Sequence, residues 1–230
     1  MVEKKILVID DQSQDTLWED IQRALKRECK IDLSYKQINP LRIESIEGDN
    51  LPTLEEVGSE VDLVLESDYY SLAAVDYSYG VDCSFNGWGI IKRIRQVYPK
   101  LQIALYTGEP KRVIGDILKR YKKNDAGEPT DEIEQLMKSN IAAFLSRGAD
   151  LKSEFIKLLK RRNFEDLLFT KLGQHRDLNV KAPELRIHGK SLSEIASVLQ
   201  RESAAGRYPE DTWLDEILDE LIAYLTKIYE

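Results

Sequence analysis

An α/β fold on a mainly parallel sheet is what this sequence predicts, on three observations. Short β-branched runs alternate with longer amphipathic stretches through the first 160 residues. The first of them, Ile6-Leu7-Val8-Ile9, is apolar at every position, as a strand covered on both faces must be. Between them lie stretches long enough to hold a crossover helix.

The elements follow in order. Ile6–Ile9 predicts a buried first strand ending at Asp10. Leu17, Trp18, Ile21 and Leu25 recur at helical spacing, so a helix covers 15–29. Ile31–Ile38 is a second strand, and the Pro/Gly/Asn-bearing stretch from Asn39 to Pro52 reads as loop. A helix follows over 53–66, then a third strand over Ser71–Asp76. Gly89–Tyr98 carries Ile90, Ile91, Ile94 and Val97 on one helical face, and Leu101–Tyr106 is a fourth strand. Helical segments fit 110–122 and 130–139. Ile141–Leu145 is the fifth strand and Leu151–Arg162 a closing amphipathic helix. Residues 163–230 show no strand signal and read as helical, most clearly over Asp211–Tyr229, where Leu214, Ile217, Leu218, Leu221, Ile222, Leu225 and Ile228 form a stripe. The chain thus divides into an α/β domain, 1–162, and an α-helical extension, 163–230.

Composition excludes several classes. The 230 residues are 42% hydrophobic and 32% charged, enough for one core and an appendage. No apolar run approaches the ~20 residues of a spanning helix, and the N-terminus lacks a signal-peptide core, so a cytoplasmic protein is expected. Cys29, Cys83, His175 and His188 are too few for a disulfide framework or a Cys/His zinc site. A bound metal would therefore be a hard cation on carboxylate oxygen. The net charge of −8 disfavours general nucleic-acid binding. Charge is uneven: 151–190 is net +5 and 191–230 net −6.

Ligands of an open parallel sheet gather beyond the carboxyl ends of its strands. Strand one ends in Asp10-Asp11, strand three in Asp76, strand four in Thr107-Gly108, and strand five runs into Ser146-Arg147. Three carboxylates, a hydroxyl and a cation at one edge suit phosphoryl transfer: the acids would hold Mg²⁺ and supply a nucleophile, while the hydroxyl and cation would bind phosphoryl oxygens. Crowded carboxylates without a cation would repel one another, and bound Mg²⁺ resolves that.

These residues resemble the receiver domain of two-component response regulators, over roughly residues 4–162. The likeness lies in ILVIDDQ at 6–12, LAAVDYSYG at 72–80, GWGIIKRIRQVYP at 87–99, ALYTGE at 104–109 and AFLSRG at 143–148. The resemblance implies a flavodoxin-like, doubly wound, five-stranded parallel sheet. It also implies that Asp10 and Asp11 organise Mg²⁺ together with Asp76 and the Ser78 backbone carbonyl. Asp76 would be the phosphoacceptor, Thr107 the switch hydroxyl, Arg147 the cationic partner and Phe144 the aromatic switch. A sensor histidine kinase or phosphotransfer protein would be the donor, and a downstream protein the target.

Three departures accompany the likeness. Arg147 stands where the family keeps a lysine, and a planar fork does not substitute freely for a point-charge ammonium. The long Asp10–Asp76 and Thr107–Arg147 spacings imply insertions near 39–60 and 120–138. The loop after Asp76 lacks the proline usual before the glycine that opens the next helix. These departures leave open a pseudo-receiver acting only as an interaction scaffold.

Other motifs dissolve on inspection. His188-Gly-Lys-Ser191 ends like a phosphate loop, but Glu184 holds the required upstream glycine position, so Ser191 or Ser193 is expected to cap a helix instead. A haloacid-dehalogenase reading needs a second aspartate where Gln12 stands. Ser191–Gln200 resembles the first helix of a helix-turn-helix, yet the acidic stretch after it, Asp211 to Glu220, would repel phosphates. A DNA-binding regulator is therefore the weakest reading. The 214–228 stripe fits a core face, with homodimerisation the alternative.

Overall fold

The computed structural model describes residues 2–45, 51–80, 83–113, 115, 141–160, 171–172, 175–181 and 188–204, the last six as backbone only. Strand β1 (Val2–Ile9) leads into helix α1 (Asp15–Cys29), strand β2 (Ile31–Ile38), a 3₁₀ turn at Pro40–Arg42 and helix α2 (Leu54–Ser67). Strand β3 (Leu72–Asp76), helix α3 (Gly87–Val97), strand β4 (Ile103–Thr107), strand β5 (Ile141–Ser146) and helix α4 (Leu151–Lys160) complete the domain, and helix α5 (Leu192–Ala204) lies in the extension. The five strands form one sheet in the order β2-β1-β3-β4-β5, every pair parallel. That is the flavodoxin-like doubly wound order.

The alternation of each buried strand builds the two faces. Leu7, Ile9, Ala73, Val75, Ile103 and Leu105 pack with Val57, Val61, Ile90 and Ile94 of α2 and α3. Ile6, Val8, Leu72, Ala74, Ala104 and Tyr106 pack with Trp18, Ile21 and Leu25 of α1 and Phe155 and Leu159 of α4. Each helix thus buries one stripe and leaves its polar side to solvent.

Local chemistry sets the helix ends. Thr53 and Glu56 form a reciprocal capping box at the start of α2. The Asn86 side chain caps α3 by accepting from the Gly89 N–H. Helix α1 stops at Lys30, whose φ of 55° is the left-handed conformation that returns its N–H to the Leu25 carbonyl. At the start of α5, the Ser191 hydroxyl accepts from the Glu194 N–H and the Glu194 carboxylate accepts from the Ser191 N–H, which settles the cap on Ser191 rather than Ser193.

Differences from the sequence reading are informative. β1 begins at Val2, four residues early, because all eight of its residues find partners on β2. Val97 lies on the expected apolar face of α3 but is 39% exposed. Helix α5 continues to Ala204, through the residues where a helix-turn-helix would turn. Asn179 and Ser191 form an isolated antiparallel bridge in a region read as wholly helical. Among the described residues, no helix is long and apolar enough to cross a membrane. The insertion at 120–138, most of the 110–122 helix, the 130–139 helix and the 211–229 stripe lie outside the described residues, as do 46–50 within the 39–60 insertion.

Candidate functional site

The site is assembled by strand register. Ile9 pairs with Val75, so Asp10 and Asp76 emerge side by side from β1 and β3. Asp76 pairs with Tyr106, and Thr107 with Ser146, the residue before Arg147. One carboxylate oxygen from each of Asp10, Asp11 and Asp76 lies within 4.8 Å of the others. Asp10 is fully buried, Asp76 is 4% exposed and Thr107 1% exposed, so the edge is a pocket rather than a solvated acidic loop.

Asp10 is fixed on both oxygens. Its Oδ1 accepts the Gln12 N–H at 2.9 Å, and its Oδ2 accepts the Tyr106 hydroxyl at 2.6 Å. The Arg147 Nη2 reaches the same Oδ2 at 2.5 Å and the Asp76 Oδ2 at 3.3 Å. Its Nη1 donates to the Gln12 side-chain oxygen at 3.2 Å, and the guanidinium lies 5.3 Å from the centre of the Tyr106 ring. A lysine could not make these forked and stacked contacts together. The backbone holds the arginine in place, because the Arg147 N–H donates to the Thr107 carbonyl at 2.6 Å.

The loop carrying the acids is braced from β2. Gln37 donates to the carbonyls of Asp10 and Gln12, and Asn39 donates to that of Asp11 at 2.7 Å. Gly87 closes the other side: a Cβ there would lie 2.0 Å from the Asp76 carbonyl oxygen. The start of α3 can sit this close to the phosphoacceptor candidate only as glycine.

Burial dominates the electrostatics. It pushes Asp76 up to about 7, against the pull of Arg147 and with the help of Asp10. Asp11 is raised for the same two reasons, burial and the neighbouring Asp10 charge. Burial alone would lower the Arg147 pKa, but Asp10 and Asp76 outweigh it and keep the guanidinium charged. Three buried polar atoms have no hydrogen-bond partner among the described residues: Asp11 Oδ1, Arg147 Nε and the Tyr79 hydroxyl. Tyr79 is fully buried and held far above its usual range, first by burial and then by Asp76 and Asp10. Orphaned buried groups are rare in folded proteins. The unpartnered Asp11 Oδ1 is an acceptor on the acidic triad itself, the kind of atom that a bound cation satisfies. The acidic triad therefore fits a hard divalent ion.

Of the remaining expected residues, Thr107 and Ser78 lie at the carboxyl end of the sheet, and Phe144 lies within β5. Thr107 ends β4, and its Oγ1 accepts the Glu109 N–H at 3.0 Å. Ser78 is half-buried in the loop two residues beyond Asp76. Phe144, on β5 opposite Leu105, is 45% exposed and so is not a core residue. Tyr106, Gln12 and Tyr79 were passed over in the sequence. For Tyr106 the signal was its position opposite Asp76 on the face of Ala104; for Tyr79, an aromatic between a serine and a glycine carries none.

No protein-family model matches this sequence, and neither does any curated protein. Solved structures of low identity do. A CheY-like response regulator receiver domain protein from Methanospirillum hungatei JF-1 is 13% identical, with 68% of this chain and 91% of that chain covered and a TM-score of 0.37. The signal receiver domain of an HD domain-containing protein from Pseudomonas fluorescens Pf-5 is 18% identical over 69% and 92%, at 0.40. The response regulator TrrA from Thermotoga maritima, in complex with Mg²⁺ and beryllofluoride, is 16% identical over 68% and 97%, at 0.36. The flavodoxin-like fold of this chain stands on its own parallel register and 2-1-3-4-5 sheet order.

Proposed function

We propose that this chain is a signalling receiver that accepts a phosphoryl group on Asp76 in a Mg²⁺-dependent way and signals through protein–protein contact. The observation that carries the reading is the convergence of Asp10, Asp11 and Asp76 within 4.8 Å, with a buried Asp11 oxygen left unpartnered. Mg²⁺ would be held by Asp10, Asp11, Asp76 and the Ser78 carbonyl, and when bound supplies charge neutralisation for the carboxylates and the incoming phosphoryl oxygens.

Each residue then has a role. An Asp76 carboxylate oxygen attacks the phosphorus of a phosphohistidine or a small acyl phosphate. The new O–P bond makes an aspartyl phosphate, and the donor's N–P or O–P bond breaks with its electron pair on the leaving group. Arg147, already at Asp76, binds a phosphoryl oxygen, and Thr107 donates its hydroxyl to another. Engagement of Thr107 and Arg147 shifts the ends of β4 and β5, and with them the edge carrying Phe144, toward a partner-binding state. The donor would be a histidine kinase or phosphotransfer protein, in the cytoplasm, and the target a protein.

One observation favours the alternative, a phosphorylation-independent scaffold: Arg147 already lies between Asp10 and Asp76 and offsets part of their charge without a ligand. Intact mass after incubation with Mg²⁺ and acetyl phosphate separates the two. A single phosphoryl adduct, lost with EDTA and absent from Asp76→Asn, is the expected result. An unmodified chain across phosphodonors points to the scaffold.

A further inference from the structure

Arg147 occupies the acidic pocket as a cation in its own right. Its Nη2 shares the Oδ2 atoms of Asp10 and Asp76, at 2.5 and 3.3 Å, and these belong to the carboxylates that would ligate a metal. Mg²⁺ binds its oxygen ligands at about 2.0–2.1 Å. Two cations on the same two carboxylates, in a pocket where Asp10 is fully buried, repel strongly because little water screens them. The guanidinium cannot lose its proton to relieve this, because an arginine side chain stays charged in proteins.

Its attachments also differ in strength. The contact to Asp10 is short, joined by the Tyr106 hydroxyl on the same oxygen and by the Tyr106 ring beneath the guanidinium. The contact to Asp76 is the longer one, and the Nε hydrogen has no acceptor. A displaced guanidinium therefore loses Asp76 first and can stay anchored at Asp10 and Tyr106.

We infer that Arg147 is a tethered counter-cation that competes with Mg²⁺ for the Asp10/Asp76 carboxylates, so that metal loading requires the guanidinium to release Asp76 and sets a high Mg²⁺ threshold. This rests on the metal-binding reading of the triad above. It adds that the arginine, besides meeting the phosphoryl group, regulates when the pocket can take its metal. The effect is strongest for a forked cation, whose Nη2 reaches both carboxylates while Nη1 holds Gln12.

Calorimetric titration of the full chain with MgCl₂ at pH 8 tests this on wild type, Arg147→Gln and Arg147→Lys, with circular dichroism to establish folding. Removing the charge in Arg147→Gln is expected to tighten Mg²⁺ binding about tenfold or more, with Arg147→Lys between the two. Wild type that binds Mg²⁺ while Arg147→Gln binds equally or more weakly overturns the inference and leaves the metal site standing. Absence of Mg²⁺ binding in all three overturns both. Should Arg147→Gln fail to fold, the Nε–H resonance of Arg147 in wild type, assigned by its loss in Arg147→Lys, carries the test: it must shift on Mg²⁺ saturation, and a resonance that stays in place overturns the inference.

Discussion

Asp76 is an acid held where water cannot solvate it, and its cost to the fold depends on pH. Burial raises its pKa from 3.8 to about 7. A carboxyl with a raised native pKa is most compatible with folding below its unfolded value, and that advantage is lost as pH rises through about 7. Without metal, the wild-type chain must therefore lose stability relative to Asp76→Asn between pH 5 and pH 8, by about 2–3 kcal/mol. Urea unfolding of both proteins in EDTA at the two pH values measures it; a gap that does not change with pH contradicts a buried, unstabilised carboxylate. A divalent cation bound at the proposed site would remove the same penalty, so the site and the strain have one origin. The neighbouring Asp10 accepts from Gln12, Tyr106 and Arg147.

At the scale of elements, α3 is the piece most tightly bound to the site. Its first residue, Gly87, donates its N–H to the Tyr77 carbonyl at 2.9 Å and leaves no room for a side chain against Asp76. Gly87→Ala should destabilise the fold by about 2–3 kcal/mol, since backbone rather than a flexible side chain must yield. Thermal denaturation beside the control Gly148→Ala, where a Cβ meets nothing within 4 Å, checks it; equal losses at both positions reject the close-approach account. Periodicity made most elements legible. Helix 15–29 and strand 31–38 match to the residue, because Trp18, Ile21 and Leu25 on the one, and a run bounded by Lys30 and Asn39 on the other, mark both ends. The start of β1 was not legible. Glu3, Lys4 and Lys5 break the apolar pattern, yet pairing with β2 extends the strand through them, and Lys4 is buried.

For the whole molecule, the sheet order places β3 at the centre between β1 and β4, with helices over both faces. β3 and β4 are buried at every position, whereas β5 is an edge strand, among the described elements, with Phe144 and Ser146 exposed. Hydrogen exchange of the native chain should therefore leave the amides of β1, β3 and β4 protected longest and release those of β5 earlier. Slower exchange in β5 than in β3 would mean that residues outside the described set cover that edge. An edge element of lower local stability is also the one a site at its end can most readily shift.

The sequence by itself determined where the acids fall. A buried strand must end when it leaves the core, and Asp10, Asp76 and Thr107 each stand at such an end, so their meeting follows from any parallel sheet with β1, β3 and β4 adjacent. The tertiary structure alone decided what they touch. Arg147 is 137 residues from Asp10, and whether its fork would reach solvent, a ligand or the acids depended on the β4–β5 register and on the Tyr106 ring, which α4 supports through Phe155 at 5.8 Å. Side-chain direction across a sheet is set by the partners on that face, and periodicity along one strand carries no record of them.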